Sequence, residues 1–417
     1  MGDRFERIRK PTRVTRSLCG HLSLLGDMND ARLLFLSVIL LIGLPLAEAA
    51  DPATEPVVVD PAIIRGIEHL YNLEFDQAEE LFRLKIASAP DEPTGYFYLA
   101  MVSWCELTDG NWSPEVVRTY GERIDRAIAV AQKVIKDGEP NSYTYFYLGG
   151  ALGYKGRLRL MQRKYLSSFF LAKDAVKALK TCQEMDPANK DVLYGLGIFD
   201  YYTARLSGVL KFLSFLLIHK GDKEEGLRKL NTAANEAAYS ATEAKSLLIH
   251  IYLFLENECE KALPLAREMA QRHWKDPRHH YLEGVVYFRL NRLEEYEGVL
   301  DYLYNRARTM TSPIQAMIWR NRGSYLEASG ELFRGRHDQA RTLLETILER
   351  TDAEEDPAMI AWPLMKLGMI HDLEGAREKA LDCYRQVMDL ENGAGAQFLA
   401  ERYTRRPVTA NDPFLGY

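Results

Sequence analysis

Apolar and small residues return along this chain at helical spacing, and each return closes on a proline or a polar break. The clearest copy runs from Gly66 through Phe75, Ala78 and Phe82 to Pro90, and another reads Leu364, Leu367, Gly368, Gly375, Ala380 and Tyr384. In both, a small residue on a first helix stands twelve positions before an alanine on a second. Two antiparallel helices that touch closely and then stack on the next pair need that spacing. No sustained period-2 alternation competes, so the pattern predicts an all-α chain.

Aligned on these small residues, the pattern predicts eight helical hairpins between residues 60 and 392. The first pairs Gly66 with Ala78, the fifth His250 with Ala262, the sixth Gly284 with Tyr296, the seventh Ala328 with Ala340 and the eighth Gly368 with Ala380. Units two to four open at Ala100, Gly149 and Gly197 and resume at Ala127, Ala175 and Gly226, so each is read as carrying an insertion: Thr108–Arg118 loop-like, Lys155–Phe170 cationic then aromatic, Ser207–Ile218 strongly apolar. Ala396–Arg405 is predicted to be a capping helix that covers the last apolar face, and the tail after Pro407 to be mobile.

Gly66, Ala78, Phe82, Pro90 and their echoes resemble the tetratricopeptide repeat. The resemblance implies a right-handed α-solenoid of about eight hairpins with extended middle repeats, in which first helices line a concave face. Gly195–Leu230, an apolar helix before a Gly-Asp turn, is similar to a segment of the tetratricopeptide-repeat protein 39 / inclusion-body clearance family. That similarity implies an adaptor rather than an enzyme.

The N-terminal region sets the expected address. Leu33–Leu46 is apolar, follows Arg32 and ends before Ala47-Glu48-Ala49, which reads as a signal peptide over residues 28–49 cleaved after Ala49. The run is too short for a comfortable membrane span; an uncleaved anchor is the competing reading. The basic stretch in residues 1–27 precedes a complete signal starting at Met28 and is read as untranslated or disordered. The expected location is therefore outside the cytoplasm, periplasmic in a Gram-negative cell.

Removing residues 1–50 takes away seven basic and five acidic side chains and moves the formal charge from -6 to about -8. An acidic body lacks the basic face that binding phosphates demands, so no nucleic-acid partner is expected. Cys105, Cys182, Cys259 and Cys383 fall in separate repeats without paired spacing, which predicts buried free thiols and no zinc site.

No phosphate-binding, zinc-protease or nucleophile-elbow motif occurs, so neither catalysis nor a cofactor is expected. His279-His280 is the one histidine pair, and neighbours on a helix diverge by about 100°. What remains is surface. Three residues before the small anchors stand Phe97, Phe146, Tyr194, Tyr281 and Tyr325; four after stand Trp104, Tyr201, Phe254 and Phe288. These positions share a helix face and form an aromatic ladder with two readings. Either it lines a concave groove for a protein or peptide partner, or it is packing between repeats, the commoner use of such stripes. A second functional reading places an apolar small molecule or lipid within the superhelix. Val209–Ile218 is too short to span a bilayer and reads as a buried helix or a peripheral membrane contact.

Overall fold

The computed structural model describes residues 59–109, 113–162, 164–205 and 221–417. The expected leader, the residues before it and Val209–Ile218 lie outside the described residues. Seventeen α-helices and no strand occur among the described residues, as the all-α reading requires.

The helices pair in chain order: α1 (Pro61–Tyr71) with α2 (Phe75–Ser88), α3 (Pro93–Asp109) with α4 (Pro114–Asp137), α5 (Ser142–Met161) with α6 (Tyr165–Met185), and α7 (Val192–Ala204) with α8 (Lys223–Glu236). Then α9 (Ala241–His250) pairs with α10 (Cys259–Arg272), α11 (Pro277–Arg289) with α12 (Leu293–Thr309), α13 (Pro313–Phe333) with α14 (His337–Arg350), and α15 (Ala358–Leu373) with α16 (Arg377–Asp389). A last helix, α17 (Ala396–Arg405), packs on α16. Each second helix also contacts the first helix of the next hairpin, which makes the array continuous.

In the five hairpins with the twelve-residue spacing, the turn has one construction. Seven residues after the small anchor stands a residue with left-handed backbone: Leu73 (φ 59), Asn257 (φ 57), Asn291 (φ 56), Gly335 (φ 75) and Gly375 (φ 74). In the last, Ala376 N donates to His371 O and Gly375 N to Asp372 O, a Schellman closure of the first helix. Leu73–Glu74, Asn291–Arg292 and Gly335–Arg336 repeat it. The second helices leave this turn without a side-chain cap, at Glu74, Arg292, Arg336 and Ala376. First helices instead open on a capping oxygen followed by proline, as at Asp60-Pro61, Asp276-Pro277 and Ser312-Pro313. The fifth hairpin differs: α9 continues as a π-helical turn, Ile251–Leu255, and Glu258 N reaches one residue further back, to Tyr252 O.

The expected insertions of the second and third hairpins are longer helices. Thr108 and Asp109 end α3, Pro114–Arg118 begins the 24-residue α4, and Lys155–Phe170 divides between α5 and α6 with a turn near Gln162. A helix hairpin lengthens by adding turns to both arms, which keeps its backbone hydrogen-bonded where a loop would not. The tail is also not loose. Val408 N donates to the buried Asp372 carboxylate at 2.9 Å, Tyr403 Oη to Asp412 at 2.7 Å, and Asp412 caps a 3₁₀ turn, Pro413–Gly416. These bonds correct the expectation of mobility.

The superhelix brings its first hairpin against elements two hundred residues later. Glu68 pairs with Arg272, Glu74 with Lys275, and Asp60 N donates to Tyr239 Oη at 2.9 Å. The charged pairs are half exposed, so the rings beneath them contribute more: Tyr71 lies 5.0 Å from His273, centre to centre.

The glycine anchors predict opposite outcomes for one substitution. A Cβ on Gly66 would lie 2.3 Å from the Phe82 ring, whereas one on the exposed Gly298 of α12 meets nothing within 4 Å. Gly66→Ala should lower stability by about 1–3 kcal/mol through overpacking, and Gly298→Ala should raise it by about 0.5–1 kcal/mol, read by denaturant unfolding of both variants.

Candidate functional site

The ladder divides into two groups by what covers each ring. Phe97, Trp104, Phe146 and Tyr201 are buried by neighbouring helices. Phe97 packs on Tyr147 and Tyr154, Trp104 on Tyr120 and Tyr154, and Tyr201 donates to Glu256 at 2.7 Å. These four are seam packing, which corrects their assignment to an open groove. At Tyr201 the register is off by one: Tyr201 is 0% exposed while the next residue, Tyr202, is 40% exposed. Tyr194 is half-buried and sits with Tyr154 and Arg157 on the inner side.

Phe254, Tyr281, Phe288 and Tyr325 are buried too, but the chain's own residues 413–417 help cover them. Phe254 stacks on Phe414 at 5.5 Å with planes 13° apart. Tyr417 sits in a box of rings, 4.9 Å from Phe254, 4.7 Å from Trp362 and 6.2 Å from Tyr281. Between them, a side chain on Gly416 would meet the Phe288 ring at 2.9 Å, so only glycine fits. The π-helical turn presents Phe254 to this segment, since the extra residue per turn rotates the side chains that follow.

A row of donors reads the segment's backbone. Lys366 Nζ donates to the carbonyls of Phe414 and Leu415, each at 2.7 Å. The hydroxyls of Tyr325 and Ser329 donate to Tyr417 O at 3.0 and 3.3 Å, and Arg289 reaches Pro413 O at 3.4 Å. Lys366 is buried on α15 without a carboxylate contact among the described residues, and burial pushes its ammonium well below the usual lysine range. Its two carbonyl partners are what satisfy it. Tyr325 belongs to the expected ladder, whereas Arg289, Ser329 and Lys366 were not legible as site residues; the one available signal was a lone lysine inside the apolar run AWPLMKLGMI.

A second inner surface is polar. Tyr71, Cys105, Tyr154, Tyr194 and Glu243, from five different first helices, gather within electrostatic reach of one another. Burial pushes the Cys105 thiol up to about 12 and the Glu243 carboxyl up to about 7. Tyr71 lies beside Glu243, whose Oε2 is buried without a hydrogen-bond partner among the described residues. Beside them, Asp276 caps α11 and holds Arg278, whose other side meets Asp109 at 3.3 Å and Thr108 O at 3.1 Å. Burial raises Asp109 to about 6, although Arg278 opposes it, and the hydrogen bonds and charge of Arg278 outweigh burial to hold Asp276 near 2. His279 faces Tyr71 and His273, whereas His280 stacks on Tyr302 at 4.4 Å, so the adjacent pair points to different surroundings. The cysteines are free thiols, Cys182 and Cys259 buried, Cys105 and Cys383 half-buried. Among the described residues no cluster of side chains has the makings of a metal site, and no helix is long and apolar enough to cross a membrane.

No protein-family model matches the chain, and no curated protein matches it in sequence. It is similar to a solved structure of a monomeric IFIT1 mutant with Gppp-AAAA at 13% identity, over 84% of this chain and 89% of that one, with a TM-score of 0.26. A likeness at that score carries no argument, and the chain's own geometry has to supply one.

Glu243 gives the polar surface a measurable signature. Its carboxyl titrates near 7 in the folded chain and at the usual 4.5 when unfolded, so the folded state binds the proton more tightly. Ionising it costs stability progressively from about pH 4.5 to 7, and that cost persists above. Glu243→Gln should therefore raise the Tm at pH 8 and leave it nearly unchanged at pH 4, as thermal unfolding at the two pH values would show.

Proposed function

We propose that this chain is a helical-repeat binding protein whose face over α9–α15 takes a short polypeptide segment coiled into a 3₁₀ turn. The observation that carries the reading is the seating of Pro413–Tyr417, whose backbone oxygens at 413, 414, 415 and 417 each meet a donor from the groove. Donors that read backbone carbonyls tolerate many sequences, and ring pockets at defined intervals add selectivity. Apolar aromatic contact with low rotamer cost supplies affinity. A binding role accords with the lack of catalytic motifs. The leader-like residues 28–49 support a location outside the cytoplasm, periplasmic in a Gram-negative cell.

An apolar small molecule or lipid within the superhelix is the less favoured reading. Glu243, Asp109, Arg278 and the tyrosine hydroxyls on the inner side make a poor lining for such a ligand.

The test uses the chain ended at Ala410 and a synthetic peptide of residues 411–417. Calorimetry should show saturable one-to-one binding, and Lys366→Met should weaken it at least about tenfold by removing two charge-assisted hydrogen bonds. A helical, folded chain that takes up no peptide would sink the proposal.

A further inference from the structure

The same groove suggests which segments it recognises and how access to it is controlled, an inference that rests on the reading above. Two aromatic side chains three residues apart, Phe414 and Tyr417, pack on different sides of Phe254, the first stacked on it and the second edge-on and against Trp362. The residue before the second is held against Phe288 and Phe333 too closely for any side chain. The intervening Leu415 is buried, 4% exposed. The pocket geometry thus selects an aromatic, an apolar residue, a glycine and an aromatic in succession. The donors ask only for backbone oxygens with a lone pair to spare, since Phe414 O also accepts from Tyr417 N.

The segment is tethered, not built in. It follows a short link from Val408, which is pinned to Asp372, and its single 3₁₀ turn forms no arm of any hairpin. Every hairpin from α9 to α16 is closed by its own turn and its own helix–helix contacts, so removing residues 411–417 leaves the array's backbone bonds intact. The groove is instead left with a buried ammonium and two hydroxyls whose acceptors have gone. Vacating it without a replacement is costly, and vacating it in exchange for an equivalent segment is not.

We propose that residues 413–417 are an internal competitor, and that the partner is another polypeptide presenting an aromatic–apolar–glycine–aromatic segment which displaces them. A tether this short holds the competitor at an effective concentration of about a millimolar. The apparent affinity for a free segment falls by the fraction of chains whose groove is open.

A fluorescent peptide of residues 411–417 would be titrated against three proteins: the full chain, the chain ended at Ala410, and the full chain carrying Phe414→Ala and Tyr417→Ala. The expected result is binding at least about tenfold tighter to the second and third than to the first, with a peptide carrying alanine at both aromatic positions not binding. Equal affinity for all three would overturn the competition while leaving the groove a peptide site. Binding to none, with helical content retained, would remove the groove reading itself. Should the shortened chain fail to fold, the doubly substituted chain decides alone, and no gain there overturns the proposal. Concentration-dependent dimers of the full chain that vanish in the shortened one would assign the displacing segment to a second copy and overturn a foreign partner.

Discussion

Everything in this structure depends on the closeness with which one helix folds back on the next. A left-handed residue seven positions after a small anchor reverses the chain, and the anchor then lets the returning helix approach. The two requirements are coupled. Without the reversal the second helix cannot reach the anchor, and a bulky anchor stands only in the fifth hairpin, where His250 leads into the π-helical turn. Glycine meets the first at Gly335 and Gly375, asparagine at Asn257 and Asn291, and a leucine at Leu73. An L side chain in that conformation is strained by about 1–2 kcal/mol. The Schellman bonds of the same turn hold Leu73 there, with Leu73 N on Leu70 O and Glu74 N on His69 O.

Stacking such hairpins turns sequence-local contacts into a long-range one. Curvature brings α1 to the region around residues 239–278, where Tyr71, His273 and His279 share a buried, weakly hydrogen-bonded patch. Burial and neighbouring charges hold both histidines down to about 4, so both are neutral near pH 7. Their neutral form suits the patch, because an imidazolium there would lack an acceptor within hydrogen-bonding distance. The inner face next to it carries carboxyl, thiol and phenol groups whose charged forms burial disfavours throughout. Such a surface is polar in hydrogen-bonding capacity, and its charge is concentrated on Arg157 and the Asp276–Arg278–Asp109 and Arg322–Asp356 pairs.

The architecture was legible because hairpin spacing is a property of neighbouring residues. Eight units could be aligned from the anchors alone, and Gly66, Gly149 and Gly197 do stand against Phe82, Leu179 and Leu230. The reversals were partly hidden, since a left-handed leucine or asparagine carries no mark in the sequence that glycine would. Long helices read as insertions because the alignment assumed a constant arm length. The ladder's register was harder still. An offset of one residue rotates a helix position by about 100°, enough to exchange Tyr201 for Tyr202 and seam for surface. Of the groove's donors only Tyr325 was legible, as a ladder ring; Arg289, Ser329 and Lys366 join it only through three helices and a segment far along the chain.

The two readings of the aromatic ladder turn out not to exclude each other. A ring counts as core or as groove according to what covers it and how firmly that cover is attached. Phe97, Trp104 and Phe146 lie beneath helices whose departure would dismantle a hairpin, so they are core in every state of the folded chain. Phe254, Tyr281 and Tyr325 lie partly beneath five residues that the fold holds by side-chain donors and ring contacts. Lys366 makes the distinction physical. A buried ammonium without a carboxylate partner is costly, and nothing in hairpin packing asks for one. Its position is explained by the Phe414 and Leu415 carbonyls it binds, so the 3₁₀ turn that covers these rings is also what satisfies the lysine beneath it.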